Sequence, residues 1–163
     1  MISLAQVNAM TVEEFVATFG EIAEHSAWVA TNATRPFASC SAMIDAFKTV
    51  VMQADEAAQL ALLRAHPDLA TRVKLTTDST NEQKGAGLDS LSAAEFTKFT
   101  TLNNQYKEQN GFPFIFAVKG ATKYQILASF EQRIHNPRGD EFQVALQQVC
   151  KIIGFRLEAK VSA

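Results

Sequence analysis

Histidine is the side chain whose ordinary pKa places its charge change near neutral pH. His66 stands in the run His66-Pro67-Asp68, directly after an apolar stretch with helical spacing, Glu56 to Ala65. A proline disfavours α geometry in the residue before it, so a helix stops there and leaves His66 at its C-terminus. The negative end of the helix dipole favours imidazolium, which makes His66 a competent proton donor and a candidate general acid. The same position suits a histidine that merely bonds the last helical carbonyls, and for an isolated histidine that is the commoner arrangement. His25 and His135 have no comparable context.

Ser79 and Glu82 have capping-box spacing, just before Gln83 and the turn Gly85-Ala86-Gly87. A carboxylate that caps a helix needs no further explanation. Equally, a polar loop entering a helix offers amides, a carboxamide and a carboxylate to a small polar ligand. Arg156 follows Val149 by seven positions and Ile153 by three, on the stripe of its helix that faces the core. A guanidinium there needs a partner: an anionic ligand, a structural ion pair, or a snorkelling exit to water. Spacing alone favours the structural alternatives. Asn103 shares a face with Phe96, Phe99 and Tyr106, and a buried amide of this kind is expected to satisfy irregular backbone such as 112–118. Arg133 with Asn136 reads as C-capping.

The elements that position these residues are helices. Glycine and proline are sparse, no repeat or low-complexity run is present, and apolar residues recur at three- and four-residue spacing. Thr11 and Glu14 form a capping box that opens a helix to about Gly20. A second helix around Trp28 ends before Arg35-Pro36, and a third from about Ser41 carries Met43, Ile44, Phe47, Val50 and Val51. Asp55 is the N-cap of the helix that presents Leu60, Leu62 and Leu63. A polar stretch, Thr71 to Asp89, precedes the capping box Ser92/Glu95 of a long helix that ends at Gly111. Phe112 to Val118 reads as a buried extended segment whose backbone must find partners. A helix from about Thr122 carries Tyr124, Leu127, Phe130 and Ile134, and after Asn136-Pro137 the last one carries Phe142, Leu146, Val149, Ile153 and Arg156. The expected fold is all-α: a single-domain helical bundle over residues 1–163, with one short irregular buried segment at about 112–118.

The 163 residues are enough to bury a core without staples. A formal net charge of −2 and an ordinary balance of apolar and charged residues recruit neither nucleic acid nor an anionic membrane. No stretch reaches the roughly 18 apolar residues of a membrane span, and no signal peptide is evident, so a cytoplasmic protein is expected. Cys40 and Cys150 lack metal-ligand spacing and read as buried thiols; no metal site is expected.

Together, His66-Pro67-Asp68-Leu69-Ala70, then Ser79-x-x-Glu82-Gln83 with Gly85-Ala86-Gly87-Leu88, then Asn103-Asn104-x-Tyr106 with Gly111-Phe112-Pro113-Phe114-Ile115, resemble the 2-oxo-4-hydroxy-4-carboxy-5-ureidoimidazoline (OHCU) decarboxylases. Arg133-x-x-Asn136, Glu141-x-x-x-Ala145-Leu146 and Arg156-Leu157 extend the resemblance over nearly the whole chain. It implies an all-helical homodimer that needs no cofactor and forms (S)-allantoin and carbon dioxide from the OHCU intermediate of urate breakdown. It places catalytic roles on His66 and Glu82. Substrate contacts fall on Pro67, on Ser79, Thr80, Asn81, Glu82 and Gln83, on Phe114, Ile115, Phe116, Ala117 and Val118, and on Arg156. Two positions depart from the family pattern: Lys84 replaces a small residue, and Asn110 stands where an aromatic is common. The competing readings are a non-catalytic helical ligand-binding or interaction module, and an enzyme acting on a related ureido or imidazoline acid.

Overall fold

The computed structural model describes residues 1–71 and 75–163. The described residues form nine α-helices and one two-stranded sheet, which bears out the all-α expectation. The elements divide into two compact units, one of residues 1–65 with 149–163 and the other of residues 66–148.

In the first unit, β1 (Ile2–Ser3) lies parallel to β2 (Val161–Ser162), with Ile2 opposite Val161. The pair joins the two ends of the chain. The helices are α1 (Leu4–Ala9), α2 (Val12–Phe19), α3 (Trp28–Asn32), α4 (Cys40–Gln53) and α5 (Glu56–Arg64). Thr11 and Glu14 make both bonds of their capping box, and Asp55 accepts the Ala58 amide as N-cap of α5. Ser39, rather than a residue nearer Ser41, caps α4. The core is built on Phe15, whose ring packs 5.0 Å from Phe19, 6.0 Å from Phe37 and 6.2 Å from Phe47. Cys150 is buried as expected, and burial raises the pKa of its thiol; Cys40 is only half-buried, its Sγ 4.0 Å from the Val161 carbonyl oxygen.

The second unit contains α6 (Thr77–Gly85), α7 (Ala93–Asn110) and α8 (Lys123–Arg133), and α9 (Arg138–Lys160) begins in it. Ser92 and Glu95 form the expected capping box of α7, and Gly111 closes it with φ 78°, a left-handed conformation that glycine adopts without steric cost. Helix α8 differs from its expected face. Ile126, Phe130 and Arg133 are buried, whereas Leu127 is half-buried and Tyr124 is 67% exposed. The buried arc starts one half-turn later than the apolar spacing suggested, and Tyr124 remains in water beside Lys123. Tyr106, Phe112, Phe114, Phe130 and Phe142 form the centre of this unit, with the Phe114 and Phe130 rings stacked at 3.8 Å. No described helix is long and apolar enough to cross a membrane.

Candidate functional site

Helix α5 ends at Arg64 with Ala65 as its C-cap, so His66 is the first residue beyond the helix, as the proline predicts. It is buried, at 8% exposure, while Pro67 is half-buried. The backbone that follows is irregular, and Ala70 adopts a left-handed φ of 59°. A non-glycine residue holds that conformation only when its surroundings fix it. Here they do. The Gln83 carboxamide accepts the Ala70 amide at 2.9 Å and donates to the Asp68 carbonyl at 3.3 Å. Asn103 Nδ2 donates to the Leu69 carbonyl at 2.8 Å, and Lys107 pairs with the Asp68 carboxylate at 2.7 Å. Asn103 therefore satisfies irregular backbone as expected, but it is the turn after His66 and not the segment 112–118. Among the described residues its Oδ1, which is buried, has no hydrogen-bond partner.

The capping box expected from Ser79 and Glu82 does not form at that position. The N-cap of α6 is Thr76, whose hydroxyl accepts the Ser79 amide, so Ser79 lies in the first turn and Glu82 in the helix interior. The polar stretch 71–89 thus contains a helix, apart from residues 72–74, which lie outside the described residues. Helical spacing puts Ser79, Glu82 and Gln83 on one face, and burial follows it: Ser79 and Gln83 are buried, Glu82 is half-buried, and Thr80 and Asn81 are exposed. Lys84, one of the departures from the family pattern, is exposed as well.

Phe112 to Val118 carries no helix or strand pairing and is buried except at Phe116, which is half-buried. Two side chains hold its backbone. Arg133 Nη1 donates to the Ile115 carbonyl at 2.8 Å while its guanidinium lies 4.2 Å from the Phe114 ring centroid. The Gln148 Oε1 accepts the Ala117 amide at 2.9 Å. Arg133 is more than a C-cap. Its Nε donates at 2.9 Å to Glu141, a carboxylate with no exposed surface that also accepts Tyr106 Oη–H at 2.7 Å and Asn136 Nδ2 at 3.0 Å. Burial, and then the bond to Glu141, raise the Tyr106 pKa, so the phenol stays protonated and donates. Asn110, the other departure, is buried, with Nδ2 on the Tyr106 carbonyl and its own carbonyl accepting Arg138 Nε.

Sequence reasoning missed this network because Glu141 and Gln148 lie on a helix whose pattern shows only which face is apolar. The signal available was the buried-face position of Glu141, one residue before Phe142. Arg156 belongs to the first unit. Its Nη2 donates to Glu24 at 2.8 Å and its Nη1 to the Ile22 carbonyl at 3.1 Å, with both charged side chains nearly inaccessible. Among the described residues no group of three or more His, Cys, Asp or Glu side chains is arranged to hold a metal.

Residues 8–158 match the model of the OHCU decarboxylase family. The chain is 43% identical, over 99% of its length and 98% of the relative's, to a 2-oxo-4-hydroxy-4-carboxy-5-ureidoimidazoline decarboxylase of Haloferax volcanii. It is 39% identical over 97% of its length to the uric acid degradation bifunctional protein of a Bacillus species, of which it spans 32%. A crystal structure of (S)-allantoin synthase superposes with a TM-score of 0.81 at 34% identity, covering 98% of this chain and 54% of that one. A family match of this extent, on a helical chain that carries the family's succession of motifs, assigns the protein: it belongs to the OHCU decarboxylase family.

Proposed function

We propose that the protein decarboxylates 2-oxo-4-hydroxy-4-carboxy-5-ureidoimidazoline to (S)-allantoin and carbon dioxide in urate breakdown. The observation that carries this reading is the near-complete, 43% identical alignment with the archaeal decarboxylase. The substrate carries its carboxylate on a carbon adjacent to an imine carbon. When the carbon–carboxylate bond breaks, its electron pair forms a double bond to the former imine carbon, and the imine nitrogen takes up a proton. Protonation of that carbon on one face, with loss of the hydroxyl proton, then gives the ring carbonyl and fixes the hand of allantoin. The substrate is its own electron sink, so no organic cofactor is required. The protein must supply orientation and a placed proton.

In this reading His66 and Glu82 are the catalytic groups, with His66 exchanging the proton. The turn carrying His66 is braced by α6 and α7, and Glu82, half-buried on the same face of α6 as Ser79 and Gln83, holds the substrate's ureido and ring N–H groups. Pro67, Ser79, Thr80, Asn81, Gln83, Arg156 and the segment Phe114, Ile115, Phe116, Ala117 and Val118 supply the contacts implied by the resemblance. Burial favours Ser79 and Gln83 over the exposed Thr80 and Asn81 for contacts of the side chains. We further propose a cytoplasmic homodimer that binds neither nucleic acid nor membranes; a monomer mass by light scattering at micromolar concentration would refute the dimer. Activity is tested by generating the intermediate from urate with urate oxidase and hydroxyisourate hydrolase and following circular dichroism. With this protein the optical signal of (S)-allantoin should rise faster than the spontaneous reaction allows. A racemic product at the spontaneous rate would overturn the assignment.

A further inference from the structure

We infer that Gln148, on α9, is a positioning residue that sets the geometry of Phe116 and Val118 toward the substrate. The inference rests on the proposed role of Phe114 to Val118 in binding. An irregular buried segment in a helical unit has no neighbouring strand to accept its amides, so a buried N–H there needs a side chain or a ligand as its acceptor. The Gln148 Oε1 lies 2.9 Å from Ala117 N, which occupies this amide and withdraws it from the groups that can donate to a ligand. The half-buried Gln148 side chain supplies the acceptor oxygen that this amide needs.

Two residues earlier, the Ile115 carbonyl is held by Arg133. Two residues of chain anchored in this way at Ile115 and Ala117 leave Phe116 little rotational freedom, and Phe116 is the least buried residue of Phe114 to Val118. On the far side, the Val118 carbonyl accepts the Ala121 amide at 3.0 Å and begins the turn into α8. Gln148 therefore holds the peptide between Phe116 and Val118, two of the residues proposed to offer their amides to the ring oxygen. Its removal should loosen binding more than it slows chemistry, because the groups that transfer the proton lie elsewhere. Gln148 is half-buried at the edge of the α9 core stripe, so its substitution need not open a cavity.

The test compares Gln148→Met, which keeps the volume and removes the acceptor, with Gln148→Glu, which keeps an acceptor oxygen at the same reach. Gln148→Ser, too short to reach, is the second variant should the methionine protein fail to fold. Three readouts are taken on full-length protein labelled with 15N-alanine and 15N-phenylalanine: hydrogen exchange at the Ala117 amide, resonance shifts on titration with (S)-allantoin, and KM with kcat on the enzymatically generated intermediate. Gln148→Met should exchange Ala117 faster and raise KM roughly tenfold, with kcat within about threefold of the parent, the scale of one lost hydrogen bond that acts on binding. Gln148→Glu should restore KM. If the unsubstituted protein binds (S)-allantoin without shifting any resonance of Phe114, Phe116 or Ala117, the binding role of the segment fails and the inference falls with it. If the segment responds but Gln148→Met leaves KM and Ala117 exchange unchanged, or Gln148→Glu is as impaired as Gln148→Met, the inference alone is overturned.

Discussion

Replacing Arg133 by methionine removes the cation of the Arg133–Glu141 pair while retaining most of the side-chain volume. Glu141 has no exposed surface, and without Arg133 its carboxylate keeps only Tyr106 and Asn136 as donors. The Ile115 carbonyl loses Nη1 at the same time, and the Phe114 ring loses the guanidinium above it. Breaking a buried pair from one side costs about 3–5 kcal/mol, since the remaining charge can neither leave nor be solvated. For a chain of this length each kcal/mol lowers Tm by about 2–4 °C, so a fall of roughly 6–20 °C is expected. Equilibrium urea unfolding should show a lower midpoint with an unchanged slope. Glu141→Leu strands the opposite charge and should cost a similar amount. The double variant Arg133→Met/Glu141→Leu buries no charge, and it should be more stable than additivity predicts by at least about 2 kcal/mol. A loss below about 1 kcal/mol in Arg133→Met, or strict additivity in the double variant, would refute the claim that this pair holds the second unit's centre.

Three other outcomes are expected. His66→Asn and Glu82→Gln should each lower turnover by about 10²-fold or more while leaving the fold intact, since asparagine remains polar at the helix end and glutamine keeps the size and hydrogen-bonding capacity of Glu82; near-normal turnover in both, with melting measured on the same preparations, would remove their catalytic assignment. Asn103→Ala strands the Leu69 carbonyl and should cost about 1–3 kcal/mol in chemical unfolding, with turnover per folded molecule much less affected; lost activity at an unchanged Tm would reverse that role. The Glu95 pKa is lowered, chiefly by the Ser92 amide it accepts in the capping box and then by Lys123. Its contribution is therefore present above the unfolded value of 4.5 and is lost as pH falls through the lower folded value, so the Tm gap between the parent and Glu95→Gln should close on acidification and stay open near neutrality.

Sequence periodicity and caps located the helices that are long or amphipathic. Thr11, Asp55, Ser92 and Gly111 all terminate helices where their chemistry says they should. Helix α6 escaped because Thr77–Gly85 contains no large apolar residue; an apolar stripe is the primary signal, and here it is absent. The same blindness misplaced its cap, since Thr76/Ser79 and Ser79/Glu82 share the same spacing and only the path of the chain selects the first. Helix α1 and the sheet are too short to carry a period, and the sheet pairs residues at opposite ends of the chain. For the site, the resemblance supplied the residues and their roles. What it did not supply was the support: Gln148 under Ala117, Arg133 and Glu141 under Ile115, and the choice of Leu69 as the partner of Asn103. Those are tertiary pairings between segments far apart in sequence.

A common physical solution runs through the irregular backbone of both units. Asn8 donates to the Phe37 carbonyl at 2.9 Å and accepts the Phe37 amide at 2.8 Å, which reproduces the pairing a strand would offer. Gln59 donates to the Val51 and Met52 carbonyls at the end of α4. Gln83 and Asn103 hold the turn after His66, and Gln148 holds Ala117. A carboxamide carries the donor and acceptor of a peptide group, so it completes the backbone's hydrogen bonds without burying a net charge. A helical protein has few free backbone groups to lend its loops, because its own are consumed within each helix. The turn after His66 and the segment Phe114 to Val118 leave regular structure, and side-chain amides are how a helical frame keeps them in place. The same reasoning explains why such residues are costly to replace by carboxylates where both ends of the amide are used, as at Gln83, and tolerant of it where only the oxygen is, as at Gln148.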